Sequence, residues 1–241
     1  MKTGTKKSGR RVEGKKGRAP DQFVIPARAL PLIRRRLLQW HKKHHRDYPW
    51  RTTDNLFHLM IAEIMLTRTR ANQVLPIYND FVARFKSPDE MKDLDEADCE
   101  RLFLPLGLRW RGRQMSHTAA YLRDSLHIRE ITPSTDLKRI PGIGDYCEAM
   151  IKSLYFDSRT PAVDVNIVRL ISRITGVPFL DENRRNASLI HAVTSLIGRS
   201  NAKRMNLAML DLTALICKPR IPLCGICPLR TLCETGRKWE G

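Results

Sequence analysis

The sequence predicts an all-α protein, and three observations carry that prediction. Between Pro26 and Ile216 the apolar residues recur mostly at helical spacing. No run in that span alternates apolar and polar residues as a half-buried strand does. Pro49, Pro88, Pro105, Pro133, Pro141, Pro161 and Pro178 divide it into segments of helix length.

Taken in order, the first helix is expected at 28–45, ending ahead of Pro49. The second, at 55–69, places Leu56, Leu59, Met60, Ile64 and Leu66 around Glu63 on a helical wheel, with the acid near the centre of the apolar stripe. A carboxylate there is costly unless paired or protonated. It is therefore either a buried acid satisfied by a backbone or arginine partner, or a general acid whose pKa is raised by desolvation. Helices at 71–86, 95–104 and 112–126 follow, and then a short one at 134–139 that Pro141 stops. In the sequence L-K-R-I-P-G-I-G-D-Y, Gly142 and Gly144 give the backbone freedom and let it approach a ligand with no Cβ in the way. The N–H groups of Gly144, Asp145 and Tyr146 open the next helix, 144–156, and unpaired donors at a helix start favour an anion such as a DNA phosphate. A bare P-G-x-G is also an ordinary turn signal. Asp164 precedes a helix at 165–175, and helices at 184–199 and 202–216 complete the series.

Length and charge narrow the class. The 241 residues allow one large or two small domains with a substantial core. The formal net charge is +18, and residues 1–18 hold eight Lys/Arg against Glu13 alone, a balance of +7 that leaves +11 on the rest. With its glycines and almost nothing apolar, the start of the chain reads as a disordered basic tail over 1–20, suited to a nuclear address or a DNA-sliding arm. The charge left on the remainder still suits a polyanion. No run reaches the length of a membrane span, and the N-terminus lacks the apolar stretch of a secretory signal.

Cys217, Cys224, Cys227 and Cys233 give the spacing C-x6-C-x2-C-x5-C within 17 residues. Nothing marks the chain as secreted, and Cys99 and Cys147 lie far away, which argues against a disulfide framework. Four thiolates suit zinc as well as an iron–sulfur cluster, and spacing alone leaves both open.

The chain resembles the helix-hairpin-helix DNA glycosylase superfamily, of the endonuclease III type, and within it the branch joining adenine mismatch and thymine mismatch glycosylases. The residues carrying the likeness are Tyr48-Pro49-Trp50-Arg51, the segment Ala62–Thr69, the hairpin at 140–146, Val163-Asp164 with Asn166 and Arg169, and the four cysteines, which together cover the chain from about residue 30 onward. The resemblance implies two helical domains with a DNA-binding cleft between them. A six-helix barrel would span 53–164 with the helix-hairpin-helix at about 134–156, and 21–52 plus 165–241 would form an iron–sulfur domain holding a [4Fe–4S] cluster on the four cysteines. Asp164 matches the catalytic aspartate that stabilises or traps the oxocarbenium-like sugar, and the helix start favours its charge. Glu63 matches the acid beside the flipped base, protonating it or orienting water. Tyr146 stands where strand-cutting members carry lysine, so the implied enzyme is monofunctional, and Lys152, six residues on, is read as an exposed helix lysine. Arg68 corresponds to the residue that fills the gap left by the flipped nucleotide. Leu108 and Trp110 form the second wedge, and Arg109, Arg111, Arg113 and Arg51, with Gly142 and Gly144, contact DNA.

Some positions depart from the pattern. Asp145 replaces a common Lys or Arg, and Cys147 and Glu148 replace small or hydroxylated residues, which puts the substrate base in question. The chain closes eight residues after Cys233, leaving no room for the C-terminal reader domain usual in adenine enzymes. The expected function is release of thymine, uracil or a modified pyrimidine opposite guanine, leaving an abasic site. The alternatives are an adenine glycosylase lacking the reader domain, or a non-catalytic DNA-binding module. The expected partner is double-stranded DNA with a mispaired or damaged base. The protein is expected to be a monomer, intracellular and DNA-associated, handing its product to an AP endonuclease.

Overall fold

A computed structural model describes residues 22–107, 110–199 and 201–240. The basic tail expected at 1–20, and Leu108 and Arg109 among the expected DNA contacts, lie outside the described residues. Among those described, the regular structure is helical with no strand: α1 (Leu30–His44), α2 (Leu56–Leu66), α3 (Ala71–Arg84), α4 (Glu96–Phe103), α5 (Trp110–Asp124), α6 (Asp145–Phe156), α7 (Val165–Thr175), α8 (Ala187–Ile197), α9 (Ala202–Leu215) and the short α10 (Glu234–Arg237).

The ends have local causes. Asn55 Oδ1 accepts from His58 N at 3.1 Å to open α2, and Asp95 with Asp98 forms a reciprocal capping box on α4. Asn186 caps α8 through Ser188 N and Leu189 N, so that helix begins at Ala187 rather than at 184. The helix expected at 134–139 is instead a single 3₁₀ turn, Leu137–Arg139. Its polar residues explain the difference: Thr135 Oγ1 takes Thr132 N at 2.9 Å and Asp136 Oδ1 takes Lys138 N at 3.2 Å. Side chains that capture backbone donors compete with helix, and little chain remains before Pro141.

Buried apolar side chains form two clusters. The first gathers α2 to α6 together with Tyr48 and Trp50; the second gathers α1, α7, α8 and α9 with Cys217 and Leu229 of the cysteine loop. The chain passes from one to the other between α6 and α7, so Asp164 lies at the seam. A buried charge ties the seam together. Asp211 of α9 is fully buried and accepts from Arg51 Nη1 and Nη2 at 2.9 and 2.8 Å, from Arg46 Nε at 2.7 Å and from His41 Nε2 at 3.0 Å. Burial opposes its charge, but these partners outweigh burial and hold its carboxyl well below the usual range.

Candidate active site

Glu63 sits on the last turns of α2 and is 3% exposed, as its place in the apolar stripe requires. Its Oε2 has no hydrogen-bond partner among the described residues. Burial pushes its pKa up to about 8, with the nearby Arg51 charge pulling the other way. Of the two readings open in the sequence, a satisfied buried acid and a protonated one, the geometry matches the second. Tyr146, on the first turn of α6, is half-buried and feels the charge of Asp164 and, once it ionises, that of Glu63. Burial first, then those charges, pushes its phenol well above the ordinary range, so it stays neutral. Beside it Cys147 Sγ approaches the Glu63 carbonyl at 3.8 Å and Thr67 Oγ1 at 4.0 Å. Its thiol is pushed up to about 11, mainly by burial.

Asp164 is the N-cap of α7. Its Oδ1 accepts from Asn166 N and Ile167 N at 2.9 and 2.8 Å, and its Oδ2 from Asn166 Nδ2 at 2.6 Å. Asn166 Oδ1 in turn accepts from Arg169 Nη1 at 2.9 Å, and Arg169 Nε donates to the Cys217 carbonyl at 3.0 Å. The carboxylate is thus oriented by a chain of contacts ending at the first cysteine of the loop. Two acids in unlike surroundings, one buried among apolar side chains and one held by amide donors, therefore lie within electrostatic reach of one phenol.

The hairpin needs its first glycine on two counts. Gly142 has φ +88, and a Cβ there would stand 2.8 Å from Gln114 Cγ and 3.2 Å from Ile64 Cδ1. Gly144 faces open space and caps α6 with no side-chain hydrogen bond, which keeps the helix start open to an anion. Asp145 lies 3.5 Å from Lys138 Nζ. Glu148 accepts from Leu137 N at 3.1 Å and pairs with Lys152 Nζ at 2.9 Å, closing the two halves of the motif on each other. Lys152 is therefore engaged, and its side chain is only 14% exposed, not the free surface lysine expected.

The expected DNA-contact residues divide. Arg68 is exposed at the end of α2, with φ 58 in a turn closed by Thr69 N donating to Leu66 O at 3.1 Å. Trp110, at the start of α5, is also exposed. Arg51 and Arg111 are buried instead: Arg51 is taken up by Asp211, and Arg111 Nη1 donates to Thr69 Oγ1 at 2.5 Å. Arg113 pairs with Glu96 at 3.0 Å. Sequence reasoning missed Asp211, although the same signal that found Glu63, an acid inside an apolar helix, marks it in A-M-L-D-L-T-A-L.

Cys217, Cys224, Cys227 and Cys233 line one pocket with Leu170, Arg173 and Ile174. Arg173 Nη1 lies 3.3 Å from Cys217 Sγ, and Cys233 Sγ donates to the Arg173 carbonyl at 3.0 Å. Among the described residues no group of three or more His, Cys, Asp or Glu side chains is arranged to hold a metal ion.

Residues 61–189 match the HhH-GPD superfamily base excision DNA repair protein family. A thymine-DNA glycosylase of Aeropyrum pernix is 30% identical over 206 residues, covering 83% of this chain and 92% of its own. An adenine DNA glycosylase of Mycobacterium tuberculosis is 29% identical over 203 residues, covering 80% of this chain but 64% of its own. The solved structure of a thermostable thymine-DNA glycosylase superposes with a TM-score of 0.80 at 26% identity, over 88% of this chain and 98% of that one. The chain belongs to the HhH-GPD superfamily of base excision DNA repair proteins.

Proposed function

We propose that this protein is a monofunctional DNA glycosylase that releases thymine or uracil opposite guanine and leaves the strand intact. The observation that carries the reading is a buried Glu63 with an unpartnered Oε2 and an amide-held Asp164, both near enough to Tyr146 to influence its phenol. Loss of a base builds positive charge on the deoxyribose and negative charge on the base. Asp164 stabilises the first, Glu63 gives a proton to the second, and a solvent water adds to C1′ and gives up a proton, which restores the acid and leaves the abasic sugar. A phenol forms no imine with C1′, so no lyase step follows. Uracil is thymine without its C5 methyl, so a pocket shaped for thymine also admits uracil.

DNA would be gripped by the N–H groups of the hairpin, with Gly142 and Gly144 setting its backbone, while Arg68 and Trp110 enter the duplex beside the extruded nucleotide. The four cysteines fit a [4Fe–4S] cluster: the donor set is all thiol, it lines one pocket, and the Arg173 guanidinium faces it. A cluster takes one thiolate per iron, so the sulfurs need not converge on one point. Such a group would cross-link the loop, and no redox step is required. The protein acts as a monomer, and its abasic product requires an AP endonuclease.

The similarity to an adenine DNA glycosylase supports a second reading, removal of adenine. A single-turnover panel of T·G, U·G, A·G and A·8-oxoguanine duplexes decides between them. Strand breaks appearing only after hot alkali, on T·G and U·G, are expected. Breaks without alkali would overturn the monofunctional assignment, and cleavage confined to the adenine duplexes would replace the substrate.

A further inference from the structure

Among the described residues three arginines are buried, and they are treated differently. Arg51 is matched by Asp211 and the Arg46 carbonyl. Arg169 is matched by Asn166 and the carbonyls of Cys217 and Thr213. Arg111 is fully buried, yet its Nε and Nη2 have no partner among the described residues. Its single hydrogen bond runs from Nη1 to Thr69 Oγ1. Burial, and after it the like charge of Arg68, pushes its pKa down. A desolvated cation beside a like charge is costly, so the free protein is less stable than the same packing around an apolar side chain.

The two empty nitrogens are not scattered. Nε–H and Nη2–H point to the same side of the guanidinium and form the fork that meets two neighbouring acceptor atoms at once. Thr69, which holds the other side, closes the turn on which Arg68 is displayed. The guanidinium carbon lies 5.7 Å from the centroid of the Trp110 ring. One buried side chain thus connects the two surface elements assigned to enter the duplex.

Resting on the glycosylase reading, we propose that Arg111 is a specificity residue concealed in the free protein. When mispaired DNA is bound, the Arg111 guanidinium leaves its packing beside Thr69 and Trp110 and the Nε/Nη2 fork takes a paired acceptor at the extrusion site. That acceptor is either the edge of the base left without its partner or two oxygens of an adjoining phosphate. Matched duplex, which offers no gap beside Arg68, leaves the fork buried. The cost of burial is then relieved only on the mispair, which converts it into discrimination.

The test uses the full chain with Arg111→Met, which keeps length but removes charge, and Arg111→Lys, which keeps charge but removes the fork. Free-protein melting temperature, affinity for T·G and matched duplexes, and base release are measured together. Arg111→Met is expected to melt higher than the wild type. Both variants are expected to lose about tenfold in preference for T·G over matched duplex, the scale of one bidentate contact, with matched-duplex affinity unchanged. An unchanged preference in both variants, or a loss that falls equally on matched duplex, overturns the proposal. If the wild type releases no base while Arg111→Lys still loses preference, the glycosylase reading fails and Arg111 remains a mispair-recognition residue of a binding protein. Normal base release with unchanged preference has the opposite meaning. Replacing the guanine by an abasic unit makes wild type and Arg111→Lys bind alike if the fork takes the base edge. If they still differ there and become alike with methylphosphonates beside the mispair, the fork takes phosphate.

Discussion

Glu63 and Tyr146 act through what surrounds them. A carboxyl with one oxygen unpartnered in an apolar stripe stays protonated until about pH 8, against an ordinary value of 4.5. Between those values the folded protein binds more protons than the unfolded chain, so stability falls as pH rises through the window. Glu63→Gln removes that dependence. The difference in melting temperature between variant and wild type should move in the variant's favour from pH 5 to pH 8, by on the order of 5 °C, then level off. A buried amide has its own cost, but that cost does not vary with pH, so the slope and not the offset is the readout. Base release should fall by about 100-fold, the scale of a lost general acid. Melting curves that run parallel over the whole range would mean that Glu63 is already ionised at pH 5. The central position of Glu63 was legible in the sequence because helical periodicity places it. Its lack of a partner was not, since that depends on Arg51 being committed to Asp211, a residue 160 positions away.

At the scale of elements, strongly periodic helices were legible, and the segment before the hairpin was misread. Apolar spacing fixes α2, α6, α7 and α9 because each must bury a face. In 134–139 the hydroxyl of Thr135 and the carboxylate of Asp136 capture the backbone donors of Thr132 and Lys138, which no periodicity reports. The hairpin itself was legible down to its glycines, but the fate of the charges around it was not. Lys138 lies near Asp145, while Glu148 and Lys152 brace the motif from within. The Asp145 carboxylate beside the uncapped start of α6 repels the phosphate those N–H groups would take. Asp145→Asn removes that repulsion and should tighten DNA binding by about three- to tenfold at low salt. Because a phosphate contact positions DNA without reading it, the gain should be equal on T·G and matched duplexes. A gain confined to the mispair would assign Asp145 to the base pocket instead.

The whole molecule combines a seam held by one buried carboxylate with a large excess of positive charge. Asp211 joins Arg51 and Arg46, from the stretch before α2, to α9, and Asp164 lies where the chain crosses between the two apolar clusters, so the position of its carboxylate depends on the packing of both. Charge acts over longer range. Of the net +18, residues 1–18 contribute +7. Each phosphate neutralised on duplex DNA adds about −0.9 to the slope of log K against log salt. If the tail lies along DNA, deleting residues 1–18 should flatten that slope by about two to six units, the range from partial to nearly full engagement of its cations. The ratio of T·G to matched affinity should stay the same, because counterion release is indifferent to sequence. The rate of base release from saturated enzyme should also be unchanged, since Glu63, Tyr146 and Asp164 all lie within the folded helices and their caps. Binding measured between 50 and 200 mM salt separates the outcomes. An unchanged slope would place all DNA contact on the folded part, leaving the hairpin, Arg68 and the remaining +11 to supply the grip, whereas a flattened slope with altered base release would mean that the tail reaches the site itself.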